Sequence, residues 1–262
     1  MMRVMTFNVR GSFHDDGVNN WDKRADLNVR TIKKYDPDII GFQEVQEDNL
    51  VLYDAELSDY DYELGLISIR KADNYHRVPI FWKKDRFTKL ESGGYYLGEN
   101  PQKFEPGWDA TFPRAVTWIV LQDANSGAEF VIVNTHFPHV QDKDETRLKC
   151  AELIIEHLQT MADLPHLVMA DFNAMPGSAA YKTFEQAGYV DSYKASPYDG
   201  DMNTFHYFKG DDFEGQGVRI DWILGYDEQA RFSFTDCRII TDAEPPIYPG
   251  DHYPVLVEMD IS

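Results

Sequence analysis

Short apolar runs alternate along this chain with two amphipathic segments, and most of the runs stop abruptly at a polar residue. The runs at 3–9, 38–42, 78–83, 115–121, 130–135, 166–170, 219–224, 232–240 and 254–259 have strand length and are rich in β-branched and aromatic residues. Trp21, Ala25, Leu27, Asn28 and Ile32 recur at helical spacing, which predicts a helix from Trp21 to Tyr35 that Pro37 closes. A second helix is predicted over 144–161, with Leu148, Ala151, Ile154, Ile155, Leu158 and Met161 on one face. The segment 196–217 is acidic, aromatic and rich in glycine, and it reads as a long loop of the kind that often covers a site. No repeat, low-complexity tract or flexible linker divides the pattern, so residues 1–262 are expected to form one domain.

Composition changes this picture in two respects. An aromatic share of 14% supports a β-rich core built from bulky side chains. The balance of 25 Lys and Arg against 45 Asp and Glu leaves a net charge of −20, which repels a long polyanion unless basic residues cluster. The densest basic cluster is only Lys83-Lys84-Asp85-Arg86, so a small or single-stranded partner is expected rather than duplex DNA. Cys150 and Cys237 lack any motif spacing and read as two reduced thiols. With no apolar span or leader pattern, the expectation is a cytoplasmic monomer that does not engage a membrane.

The candidate chemistry lies where the apolar runs end. One run ends at Asn8, a second at Glu44, a third at Asn134-Thr135-His136 and a fourth at Asp171-Phe172-Asn173. Asp221 interrupts another, and Asp251-His252 precedes the last strand. If the strands share a sheet, these ends meet on one rim, and the last pair joins them when its strand runs antiparallel. Oxygen donors from Asn8, Glu44, Asp171, Asn173, Asp221 and Asp251, with no cysteine, suit magnesium or manganese. Together with His136 and His252 they suit phosphoryl chemistry, with a metal polarising a phosphate, a carboxylate activating water and a histidine stabilising charge.

Each residue also has a plainer reading. Asn8 suits a turn, Glu44 the first turn of a helix opening near residue 45, and Asp251-His252 a turn before a strand. His139 reads as a loop histidine, Arg147 as structural, and Asp211, Asp212 and Glu214 as solvated acids. Asp221 resists such a reading, because an ionised carboxylate within a buried strand is costly without a partner.

The set Thr6-Phe7-Asn8, Gln43-Glu44-Val45, Asn134-Thr135-His136, Asp171-Phe172-Asn173, Arg219-Ile220-Asp221 and Gly250-Asp251-His252-Tyr253-Pro254-Val255 resembles the endonuclease/exonuclease/phosphatase superfamily. The six motifs stand in the family's order across nearly the whole chain. The resemblance implies an α/β four-layer sandwich, two mixed β-sheets face to face with helices outside. It implies Glu44 as the main metal ligand, with Asn8 and Asp251 beside it. Asp171 would activate water, Asn173 would hold water or phosphate, and His252, oriented by Asp221, would contact the phosphate with His136. Arg114 and Trp108, within 108–114, and Phe205, within 204–206, resemble segments of a bacterial subgroup and would bind substrate. Two departures are Ala170 and Gly250, where relatives often carry Gly and Ser. A third is Tyr75-His76-Arg77 in place of Gly-Glu, which makes Arg77 a candidate phosphate contact.

The implied activity is metal-dependent hydrolysis of phosphate esters by in-line attack of water, with a slight leaning to diesters and nuclease-like cleavage. Alternatives are a phosphatase, a phosphodiesterase for small molecules or lipid headgroups, and an inactive binding module that kept the fold.

Overall fold

The computed structural model describes residues 1–71, 74–139, 143–197, 200, 203–215, 217–229 and 231–261. Its first sheet joins β1 (Met2–Asn8), β2 (Ile39–Gln43), β3 (Tyr60–Glu63), β6 (Ile80–Lys83), β13 (Phe232–Ile239) and β14 (Val255–Ile261). Between its third and fourth members in sequence lies a separate hairpin of β4 (Ser68–Lys71) and β5 (Asn74–His76). The second sheet joins β7 (Phe87–Tyr96), β8 (Ala115–Asp123), β9 (Glu129–His136), β10 (His166–Asp171), β11 (Val190–Asp191) and β12 (Asp221–Tyr226). The strand orders are β13-β14-β1-β2-β6-β3 and β11-β12-β10-β9-β8-β7. Each sheet has one parallel pair, β1 with β2 and β9 with β10, among antiparallel ones, so both are mixed.

Burial on both faces explains why the central strands read as nearly unbroken apolar runs. Along β1, Val4 faces the second sheet, where it joins Ile119, Ile132, Met169 and Ile223 in one core. Its neighbours Met5 and Phe7 face outward onto Trp21 and Ile32 of α1 (Trp21–Tyr35) and Tyr53 of α2 (Glu47–Glu56). On the other side, Val131, Val133 and Val168 pack against Ile154 and Leu158 of α3 (Asp144–Gln159) and Phe184 of α4 (Ala179–Gln186). The result is helix, sheet, sheet, helix: the four-layer α/β sandwich expected from the resemblance. A short helix, α5 (Ser192–Ala195), follows β11. No helix among the described residues is long and apolar enough to cross a membrane.

Two contacts hold the sheets close at the end that matters. Gly41 lies against the second sheet so tightly that an added Cβ would meet the Met169 sulfur at 2.7 Å. Two residues further along β2, the Gln43 amide donates to Thr6 Oγ1 at 3.0 Å and to Asn134 Oδ1 at 2.7 Å. Asn134 in turn donates to the carbonyls of Phe42 and Pro79. This buried polar seam, in which the Gln43 amide N–H groups and the Asn134 side chain are all engaged, fixes the relative height of the two sheets.

The sequence expectations differ from the structure at several elements. The predicted strand 219–224 begins instead at Asp221, and β7, β3 and α4 were not anticipated. β7 is an edge strand buried only at Phe87 and Tyr95, near its two ends, so it carries no apolar alternation to detect. The strands with site residues at their ends do not share one sheet; they belong to two that face each other. Within 196–217, Thr204 and His206 are tied down by backbone bonds to Val218 and Asp251, and residues 198–199, 201–202 and 216 lie outside the described residues.

Candidate active site

Register brings the polar strand ends together. In the second sheet Asp171 pairs in register with His136 on one side and Asp221 on the other. In the first, Asn8 pairs with Gln43, so Glu44 emerges beside it at the same edge. β14 runs antiparallel to β1, which returns Asp251 and His252 to that edge, as the sequence required. Because the sheets are stacked, the two sets meet across the gap, and Asn8 Nδ2 donates to Asp171 Oδ2 at 2.9 Å and to Glu44 Oε1 at 3.3 Å.

Local backbone geometry supports this convergence. Glu44 and Asn173, each just past a strand end, have φ values of 62° and 47°, in the left-handed region. For a glutamate that conformation costs on the order of 1–3 kcal/mol and persists only where neighbours impose it. Here Val45 exchanges backbone bonds with Arg77, and Gln46 and Asn49 form a reciprocal cap that starts α2. At Asn173 the backbone N–H donates to Asp171 Oδ1 at 2.9 Å and the side chain donates to the Phe137 carbonyl.

The histidines divide into two electrostatic environments. His252 Nδ1 lies 2.9 Å from Asp221 Oδ2, and its Nε2 lies 3.7 Å from Asp171 Oδ2. Burial opposes its protonation, but Asp221 and Asp171 outweigh it and raise its pKa to about 10. His136 Nε2 is 3.2 Å from Asp171 Oδ2, yet burial and the nearby Arg114 hold it well below the ordinary value. Asp171 itself is pushed up, chiefly by burial and with Asp221 adding repulsion against the pull of His252. Burial opposes ionisation of Glu44 as well, but His14, His76 and His136 together hold its carboxyl well below the usual range.

The donor set fits a divalent cation. Glu44 Oε2 and Asp251 Oδ1 are buried and make no hydrogen bond, and Arg10 approaches Asp251 no closer than 3.6 Å. Unpaired carboxylate oxygens of this kind are costly unless a cation compensates them. The Asn8 oxygen accepts the Arg10 backbone N–H, and its amide N–H groups face the carboxylates.

A cavity of about 300 Å³ opens over this cluster. Glu44, His136, Asp171, Asn173, Asp251, His252, Arg114 and Phe205 line it, while Asp221 stands behind His252. Two expected substrate contacts do not line it. The Arg77 guanidinium donates to the Gly65 carbonyl at 2.8 Å, and Trp108 packs against the core of the second sheet. Residues that sequence reasoning passed over do line it: Arg10, His76, His139 and Tyr207. His139, read as an ordinary loop histidine, sits 3.2 Å from Arg114, and only the spacing of His136-Phe137-Pro138-His139 hinted at it.

The buried Arg24 was also passed over. It donates to the carbonyls of Asn19, Val9 and Pro249, and thereby ties the segments bearing Arg10 and Asp251 to α1. Gly250, where relatives often have Ser, has only 3.0 Å between an added Cβ and the Phe7 ring, so this packing leaves little room for a side chain.

The two-sheet sandwich carries buried carboxylates and histidines at one edge. The Endonuclease/Exonuclease/phosphatase family matches residues 5–252, and the chain belongs to it. A solved endonuclease/exonuclease/phosphatase from Bacteroides vulgatus is 31% identical with a TM-score of 0.88, covering 100% of this chain and 99% of its own. A mannosyl-6-phosphatase from Bacteroides thetaiotaomicron is 27% identical with a TM-score of 0.87, covering 99% of both chains. Carbon catabolite repressor protein 4 homolog 2 of Arabidopsis thaliana is 25% identical over 197 residues, 62% of this chain; the match spans only 32% of that protein.

Proposed function

We propose that this protein is a divalent-metal-dependent hydrolase of phosphate esters and that its substrates are small phosphorylated molecules. The observation that carries the reading is the Asp221–His252–Asp171 array, whose His252 and Asp171 line one cavity together with Glu44 and Asp251, each with a buried carboxylate oxygen that makes no hydrogen bond. Glu44 and Asp251 would hold magnesium or manganese, which when bound supplies positive charge to a phosphate oxygen. Asp171, with its raised pKa, accepts a proton from the attacking water, which Asn173 helps to place. His252 stays protonated at neutral pH because Asp221 holds Nδ1, and its Nε2–H is directed at charge developing on the phosphate. Asn8 keeps the metal-binding and water-activating carboxylates in register by donating to both.

Substrate size follows from shape and charge. A cavity of about 300 Å³ lined by Arg10, Arg114, Phe112, Phe205 and Tyr207 accommodates one phosphate and one ring-sized group. A net charge of −20 disfavours a long polyanion, and the similar mannosyl-6-phosphatase makes a sugar phosphate the first compound to try. The Phe205 ring, 5.0 Å from that of His252, equally suits stacking on a base, which keeps a nucleotide diester as the second reading. Purified protein should be assayed with magnesium or manganese on sugar monophosphates, p-nitrophenyl phosphate, bis(p-nitrophenyl) phosphate and single-stranded RNA, with a chelator control. Turnover of monoesters above diesters supports the first reading, and RNA or diester turnover alone replaces it with the second. No metal-dependent turnover of any ester removes both.

A further inference from the structure

A second group of donors meets at Glu44 that the hydrolytic array does not use. His14 comes from the loop after β1, His76 ends β5 and Glu44 follows β2, so three separate segments converge on one point. His14 Nε2 lies 3.5 Å from Glu44 Oε2, and His76 Nδ1 lies 3.9 Å from the same oxygen. The donor atoms of all three side chains fall within 4.8 Å of one another. Both imidazoles are largely shielded from water, with side chains 11% and 10% exposed, and their rings stand edge to face at 6.0 Å. His14 Nε2 and Glu44 Oε2 are each buried without a hydrogen bond.

We propose that His14 and His76 join Glu44 in a mixed nitrogen–oxygen site that selects a transition-metal dication over magnesium. The inference rests on the reading of Glu44 as a ligand of the hydrolytic ion and adds to it which ion this chain prefers. Two ligands at roughly 2.1 Å from a common ion lie about 3.0–3.5 Å apart, so the spacing observed here needs little movement to close. Magnesium demands oxygen donors and sheds its water reluctantly, whereas imidazole favours manganese, cobalt and zinc in rising order. A carboxylate flanked by two imidazoles and open on its cavity side therefore discriminates by donor type.

The competing arrangement is a simple ion pair, with protonated imidazoles neutralising Glu44. Metal-stripped full-length protein should be titrated calorimetrically with magnesium, manganese, cobalt and zinc, and the manganese-loaded protein examined by electron spin-echo spectroscopy. The expected result is nitrogen coupling from coordinated imidazole, and at least about 10-fold tighter binding of cobalt or zinc than of magnesium. His14→Gln and His76→Gln should each weaken cobalt binding by about 10-fold while leaving magnesium affinity nearly unchanged. Absent nitrogen coupling in the wild-type protein, or cobalt affinity unaltered in both variants, overturns the proposal. Glu44→Gln separates the two readings: if magnesium binds through Glu44 without imidazole, the role of the histidines alone falls. If every ion binds as before in Glu44→Gln, the ligand assignment of Glu44 falls as well.

Discussion

His252 Nδ1 sits 2.9 Å from Asp221 Oδ2, a contact between residues 31 positions apart on segments that lead into different sheets. Asp221 opens β12 in the second sheet and His252 precedes β14 in the first, so the pair exists only when the sandwich is closed. Both side chains are buried, which makes each the other's compensation for leaving water.

Asp221→Asn should lower kcat by roughly 10²–10⁴-fold, because the neutral amide neither fixes the tautomer nor favours the imidazolium. With its pKa raised to about 10, His252 remains protonated through neutral pH and loses its proton only in alkaline solution. The pair accordingly contributes stability that is complete below about pH 6.5 and lost as pH rises through the folded value. In the variant the alkaline limb of the activity profile should move to lower pH. An unshifted limb in a pH–rate measurement would count against His252 as the acid.

Glu44→Gln should reduce kcat/KM by at least about 10³-fold, with the fold intact by circular dichroism. The same variant should lose the rise in melting temperature that added divalent ions give the wild-type protein. Retained activity together with an unchanged rise would show that the ion binds elsewhere.

Arg114→Met is expected to raise KM by roughly 10-fold, with a smaller effect on kcat, since its guanidinium lines the cavity wall beside His139. Arg77→Met, by contrast, should leave KM for small substrates nearly unchanged, because that side chain is engaged with Gly65. Steady-state kinetics on the two variants discriminate these positions directly.

Gly41→Ala should destabilise the protein by about 1–3 kcal/mol, as its Cβ collides with Met169 across the sheet interface. Met169→Ala creates space at the same point, so the double variant should be more stable than the sum of the single effects implies. A double-mutant cycle by denaturant unfolding tests this; strict additivity would place the strain elsewhere.

Arg24→Met removes the donors that hold the Asn19, Val9 and Pro249 carbonyls, and should cost on the order of 3–5 kcal/mol. Because these carbonyls fix the segments carrying Arg10 and Asp251, activity should fall even under conditions where the variant is fully folded. Thermal unfolding and activity measured side by side would separate the two effects.

The central strands and the two long helices were legible because their periodicity reflects burial that most folded arrangements would demand. Helix Trp21–Tyr35 is an example: its apolar spacing and the following Pro37 locate it without tertiary information. β7 was invisible for the opposite reason, being an edge strand paired to β8 whose buried side chains, Phe87 and Tyr95, stand too far apart to form a period. Glu44, Asp171 and His252 were legible as polar residues at strand ends. His14 and His76 were not singled out, because a loop and a short hairpin carry no pattern that predicts where they fold back.

The sequence by itself determined which strands are buried on both faces and which polar residues terminate them, since hydrophobic period and strand length are local properties. Only the tertiary structure decided that these ends come from two facing sheets rather than one. The close approach at Gly41 and the Gln43–Asn134 seam set that arrangement. It is the stacking of the sheets that places Asn8 against Asp171 and Asp221 against His252. Contacts of that kind depend on the distance between layers, a quantity that a one-dimensional pattern does not carry.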